Sequence, residues 1–221
     1  LQKMYKNHPK IKICGIKEIS TAKLLIDLEV DFVGLNFIKN STRYLNEKNA
    51  KQIVDYIDDY RKSKKSQIQK VGLFLNEKIE KLNYLSKIFN LDFVQLCGNE
   101  DIEYISMVQK PVIKVVHIKE KMHSDELKKK IESFSSVSKY IILDTFSKSS
   151  AGGTGLTFDW SEYKNLFNKN IFIAGGLNPD NIKDFSNSYL PWAIDVSSGV
   201  ESNKEKDPEK INLFIRNSKI N

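Results

Sequence analysis

The chain has 221 residues, 40% of them hydrophobic, with 35 lysines and arginines against 28 acidic residues for a formal net charge of +7. That length suits a single α/β domain over residues 1–221, since no linker-like stretch divides it and the hydrophobic share can fill one core. The charge does not mark a nucleic-acid binder: the runs RKSKK at 61–65 and KKK at 128–130 read as solvated helix faces, and no zinc-finger or RNP-type motif accompanies them.

Cys14 and Cys97 are the two cysteines and lie in no metal-ligand spacing, so neither a metal nor another cofactor is expected. No apolar run approaches the roughly 20 residues that cross a bilayer. Free thiols and the lack of a signal segment point to a cytoplasmic protein, with no membrane partner. The first residue is Leu1, which suits a trimmed terminus or a piece of a longer polypeptide.

Apolar runs alternate with amphipathic stretches along the whole chain. The strands are expected at Ile11–Cys14, Phe32–Phe37, Val71–Leu75, Phe93–Cys97, Val112–Val116, Tyr140–Asp144, Ile171–Ala174 and Ala193–Val196. Helices are expected at about 18–29, 46–64, 78–89, 100–109, 124–137, 158–167, 179–187 and 207–218, with apolar residues at helical spacing as in Ile79, Leu82, Leu85 and Phe89. Ser20 and Thr21, Ser124, and Asn178 ahead of Pro179 read as helix starts.

Eight continuous apolar strands joined by crossover helices predict a parallel (β/α)8 TIM barrel with both faces of its sheet covered. A doubly wound open sheet is the alternative, but it would place its glycine-rich turn after the first strand. Here the glycines cluster after the sixth, seventh and eighth strands, where barrels commonly bind phosphate.

In a barrel the strand C-termini share one mouth, and here they carry Cys14, Asn36, Gln95, Cys97, Asp144, Gly175, Gly176, Asp195, Ser197 and Ser198. Asp144 closes an apolar strand just before AGGTG, whose Gly153 and Gly155 let backbone N–H groups approach an anion. IAGGLNPDNI at 173–182 and DVSSGVES at 195–202 carry the same suggestion. A thiol at the start of a helix can have its pKa lowered from about 8.5. Cys14 and Asp144 therefore form a candidate base and acid, and Arg43 offers a fork to a carboxylate.

KICGI at 12–16, DFVGLNF and NSTRYL within 31–45, VGLFLN at 71–76, DFVQLCGNE at 92–100, ILD at 142–144, GGTGLTFDW at 152–160, AGGLNPDNI at 174–182 and DVSSGVES at 195–202 together resemble the phosphoribosylanthranilate isomerase family. The resemblance implies a cofactor-independent Amadori rearrangement in tryptophan biosynthesis, on a small phosphorylated substrate, by a monomer or homodimer. It implies Asp144 as general acid on the furanose oxygen and Cys14 as general base at C2′. It places the anthranilate carboxylate on Arg43, a ribose hydroxyl on Asp195 and further substrate contact on Gln95. The phosphate falls to Gly153, Gly155, Gly175, Gly176, Ser197 and Ser198.

The chain departs from the family pattern at Cys97, where a histidine is usual, and after Glu201, where a proline–glycine turn is missing although Lys206 and Asp207 are kept. Other readings are indoleglycerol-phosphate synthase, which wants a lysine and glutamates at the strand ends, a metal-dependent sugar-phosphate epimerase, and a non-catalytic basic barrel that binds nucleic acid or protein.

Overall fold

The computed structural model describes residues 8–64, 67–118, 122–145, 160–167 and 170–219. Their order is β1 (Lys10–Cys14), α1 (Ile19–Asp27), β2 (Phe32–Asn36), α2 (Glu47–Lys64), β3 (Gln69–Phe74), α3 (Ile79–Ile88), β4 (Phe93–Leu96), α4 (Ile102–Ser106), β5 (Val112–Ile118), α5 (Ser124–Ser135) and β6 (Tyr140–Thr145). A 3₁₀ turn (Ser161–Leu166) precedes β7 (Ile171–Ala174), α6 (Ile182–Tyr189) and β8 (Ala193–Val196). A second 3₁₀ turn (Ser198–Val200), the short strands β9 (Glu201–Ser202) and β10 (Glu205–Lys206), and α7 (Pro208–Ser218) follow.

Strands β1 to β8 pair in parallel and close into a barrel, with β1 bonded to β8 in the register Lys12↔Asp195 and Ile13↔Val196. Side chains alternate across each strand. Ile11 and Ile13 of β1, Val94 and Leu96 of β4, and Val112 and Val116 of β5 point outward and join the apolar layer under the helices. Cys14, Val71, Leu73, Ile113, Val115, Ile142 and Phe172 point inward and fill the barrel. At one end five rings meet: Phe32, Phe93, Tyr140, Phe172 and Trp192, with centroid separations such as 5.1 Å for Phe32–Phe172 and 5.5 Å for Phe93–Tyr140. That end is a floor, so only the opposite end can open.

Every expected strand is present, and the differences are local. β5 runs on to Ile118 because β6 keeps pairing with it, as His117↔Asp144 and Ile118↔Thr145. The described part of the helix expected at 158–167 is a 3₁₀ turn, whose tighter winding puts buried Trp160 and Tyr163 side by side, 6.4 Å between rings, while the Tyr163 hydroxyl donates to the Met122 carbonyl. Asn178 does not begin α6. It forms a turn ahead of it, its Oδ1 accepting from the Asp180 and Asn181 amides, and the helix begins at Ile182. Nor does Ser20 cap α1, which starts at Ile19 after Glu18 with no side-chain cap. Ser124 is the first residue of α5, behind His123.

Candidate active site

At the open end the inward positions of the strands surround a cavity of about 290 Å³, a size that suits a small-molecule site. Cys14, Gln95, Asp144 and Asp195 all line it, as do Arg43, Gly175, Gly176, Ser197 and Ser198. The structure thus brings together all the expected site residues except Gly153 and Gly155, which lie outside the described residues. Cys14 on β1 and Asp144 on β6 stand on different sides of the mouth, with β7 and β8 between them.

The thiol of Cys14 fits because its neighbour on β2 is Gly34, where a Cβ would lie 2.7 Å from the sulfur. Two residues earlier on the same inward face is Lys12, fully buried, its Nζ 2.9 Å from Asp195 Oδ1 on β8. Burial pushes the Cys14 thiol up, against the opposing pull of the Lys12 and Lys206 cations. This corrects the expectation of a thiol lowered by a helix dipole: α1 starts only at Ile19, and desolvation outweighs the nearby charges. Burial alone would lower Lys12, but Asp195 and Cys14 hold it above the ordinary lysine range. Burial likewise raises the Asp195 carboxyl against the pull of Lys12.

On β4, Gln95 turns inward and its Nε2 donates to Cys97 Sγ at 3.4 Å, while its Oε1 is buried with no hydrogen-bond partner among the described residues. A buried carbonyl oxygen left in this state suits a donor arriving in the cavity. Burial pushes the Cys97 thiol up to about 12 despite the Gln95 amide. Asp144 is a third exposed, and His117 of β5 lies across from it, Nδ1 3.5 Å from Asp144 Oδ2.

Arg43 is not an idle fork. Its Nε and Nη2 donate to the two carboxylate oxygens of Glu201, each at 2.7 Å. Glu201 also accepts from Lys206 at 2.6 Å, and the same ammonium reaches the Ser197 carbonyl at 2.9 Å. The missing proline–glycine turn is replaced by a hairpin of β9 and β10 whose two central residues, Asn203 and Lys204, both have positive φ, 53° and 66°. The hairpin thereby carries Glu201 and Lys206 to the base of the loop after β8.

The loop after β7 needs its glycines. Gly175 has φ 92° and a Cβ there would sit 2.1 Å from Thr145 Oγ1, and Gly176 has φ 69° with open space beside it. Ser197 Oγ donates to the Cys14 carbonyl at 3.0 Å, tying this loop to the end of β1. Two glycines in the left-handed region and two serines on one side of the cavity, with the Lys206 ammonium held against Ser197, make a surface suited to an anion.

Three contributors went unassigned in the sequence. Asn36 and Gly199 line the cavity, the second where a Cβ would fall 1.9 Å from the Leu177 carbonyl oxygen. His117 lines it too, and the inward parity of Ile113 and Val115 would have found it had β5 been extended. Among the described residues no group of three or more histidine, cysteine or acidic side chains could hold a metal ion, and no helix is long and apolar enough to cross a membrane.

Comparison with known proteins bears on what this mouth acts upon. The family model described as N-(5′-phosphoribosyl)anthranilate (PRA) isomerase matches residues 11–217. A curated N-(5′-phosphoribosyl)anthranilate isomerase of Dehalococcoides mccartyi is 38% identical over 214 residues, which is 95% of this chain and 95% of that protein. The crystal structure of phosphoribosyl anthranilate isomerase from Thermotoga maritima superposes with a TM-score of 0.80 at 32% identity, covering 96% of this chain and 98% of that one. A further solved phosphoribosyl anthranilate isomerase, in complex with reduced 1-(o-carboxyphenylamino)-1-deoxyribulose 5-phosphate, has a TM-score of 0.77 at 30% identity over 96% of this chain and 98% of that chain.

Proposed function

The chain belongs to the N-(5′-phosphoribosyl)anthranilate isomerase family, and from that premise we propose how its mouth performs the reaction. The enzyme is an aldose–ketose isomerase of tryptophan biosynthesis, converting N-(5′-phosphoribosyl)anthranilate into 1-(2-carboxyphenylamino)-1-deoxyribulose 5-phosphate. The rearrangement moves hydrogen within one molecule with no net oxidation, so a positioned acid and base suffice without a cofactor.

Asp144 gives its proton to the furanose oxygen as the bond from that oxygen to C1′ breaks, and the nitrogen lone pair forms the C1′=N bond of a Schiff base. Cys14, as thiolate, then removes the C2′ proton. The released pair forms C1′=C2′ and neutralises the nitrogen. The resulting enolamine becomes the ketone by proton loss from its C2′ hydroxyl and proton gain at C1′. The observation that supports these roles is the placement of Cys14 and Asp144 on opposite sides of one cavity whose third side is suited to an anion.

The phosphate rests on Gly175, Gly176, Ser197 and Ser198, with Lys206 behind them and Gly153 and Gly155 in the loop after β6. A ribose hydroxyl donates to Asp195, and a second one to the unpartnered Oε1 of Gln95. As Asp195 turns part of its charge to the sugar, Lys12 becomes the counter-ion of the Cys14 thiolate. Arg43 meets the anthranilate carboxylate through Nη1, because its Nε and Nη2 are engaged by Glu201. The enzyme works in the cytoplasm as a single barrel domain, monomeric or homodimeric.

The test is turnover of freshly generated phosphoribosylanthranilate, followed by loss of its fluorescence, with the parent beside Cys14→Ala and Asp144→Asn. Rapid decay with the parent and none above background with either variant is the expected result. Full turnover by either variant removes that residue's role.

A further inference from the structure

A general acid must be resupplied with a proton after every turnover, and Asp144 has a neighbour suited to the task. His117 and Asp144 are register partners on adjacent strands, and both turn inward at the mouth. The ring is oriented by its far side: Nε2 lies 3.2 Å from the Cys97 carbonyl oxygen, which can only accept, so Nε2 carries a hydrogen. Nδ1 is then the nitrogen that gains and loses a proton. It is buried, without a hydrogen-bond partner among the described residues, and faces Asp144 Oδ2 at 3.5 Å.

We propose that His117 is a positioning residue of the isomerisation, holding beside Asp144 the proton that Asp144 delivers to the sugar ring oxygen and replacing it after delivery. This rests on the assignment of Asp144 as the general acid. At rest one proton is shared by Nδ1 and Oδ2. When Asp144 has protonated the leaving ring oxygen, its carboxylate takes the Nδ1 proton. Solvent then restores the proton to the pair through the Asp144 carboxyl, whose side chain is 32% exposed.

The groups facing His117 agree with that role. From β6 the Asp144 carboxylate raises its pKa, burial opposes this, the Cys97 carbonyl just after β4 raises it, and Lys114 on β5 lowers it, for a net upward shift from 6.5. The Cys97 thiol, pushed up to about 12, adds no charge in the neutral range. The family pattern has a histidine at the position of Cys97, and this chain supplies an imidazole to the same mouth from the next strand instead.

The experiment compares the pH dependence of kcat for the parent, His117→Gln and Asp144→Asn. Glutamine keeps an N–H for the Cys97 carbonyl and loses the titrating nitrogen. Cys14 must be ionised and the His117–Asp144 pair protonated, so with the thiol pushed up by burial the parent's kcat should climb with pH until His117 deprotonates and then level off. In His117→Gln that break should be lost from the neutral range and kcat there should fall, with KM unchanged. A His117→Gln profile that superimposes on the parent overturns the proposal. Asp144→Asn with parental turnover overturns instead the assignment of the acid.

A second measurement needs no turnover and no His117 variant to fold. The chain has three histidines, so ring resonances can be titrated by NMR in the parent and in Asp144→Asn. His117 should titrate above 6.5 in the parent and fall in the variant; an unchanged value overturns the proposal.

Discussion

On β6 the inward side chains run Tyr140, Ile142, Asp144 from one end of the barrel to the other, and on β4 they run Phe93, Gln95, Cys97. The same alternation thus builds a floor of five packed rings and, two pleats further along, a mouth of acids, amides and a thiol. Asp144 stands on Ile142, Gln95 on Phe93 and Asp195 on Ala193, whereas Cys14 stands on the buried Lys12. Packing free energy accumulates at the floor, where nothing has to titrate. The mouth carries groups whose burial raises the pKa of Cys14 and Asp195 and leaves Gln95 Oε1 unpartnered. The division of labour runs along the barrel axis, not between layers of the fold.

Substitutions at the two ends should therefore separate cleanly. The largest effects belong to the mouth: Cys14→Ala and Asp144→Asn should each lower kcat by about 10²- to 10⁴-fold or more, while thermal unfolding shifts by no more than a few degrees. Next is the floor. Phe172→Ala, which removes a fully buried ring touching Phe32, Tyr140 and Trp192, should cost about 3–5 kcal/mol in urea unfolding and leave kcat per folded molecule nearly unchanged. A Phe172→Ala enzyme of parental stability but low kcat would reverse the proposed division.

Lys12 lies between the two ends and should show both signatures. Lys12→Met strands the Asp195 carboxylate, a loss of about 3 kcal/mol or more, part of which Asp195→Asn in the same chain should restore. It should also slow alkylation of Cys14 by iodoacetamide, because the cation that opposes burial of the thiolate is gone. Equal alkylation rates would remove Lys12 from the account of the base. The smallest effect is expected at Cys97, whose thiol is nearly all protonated at neutral pH. Cys97→Ser should change kcat by less than about threefold.

The barrel was legible because both faces of each strand are buried, which writes continuous apolar runs, and because helical spacing marks the segments between them. Strand ends were less so, since pairing with a neighbour decides them: two more residues of β5 are bonded to β6, and one of them is His117. The proposed acid, the proposed base and the anion-suited turns could be found as strand-end residues. Their partners could not. Lys12 reads as a surface residue until Asp195 is brought to it from 183 positions away, and Arg43 as an open fork until Glu201 arrives from 158 positions away. Cys14 was misjudged for the same reason, because the degree of burial is a property of the closed barrel and not of the KICGI segment.

The pairing of β1 with β8 gives the site a place in time as well as in space. Cys14 lies on the first strand, and what surrounds it, Asp195 against Lys12 and the Ser197 hydroxyl on the Cys14 carbonyl, comes from the last. A chain emerging from the ribosome has its base from the outset and no site until β8 docks against β1. That docking is the most non-local contact in the barrel and the kind of step that slows folding. Isomerase activity in this protein is thus a readout of finished closure, and partly folded chains with an open seam stay silent.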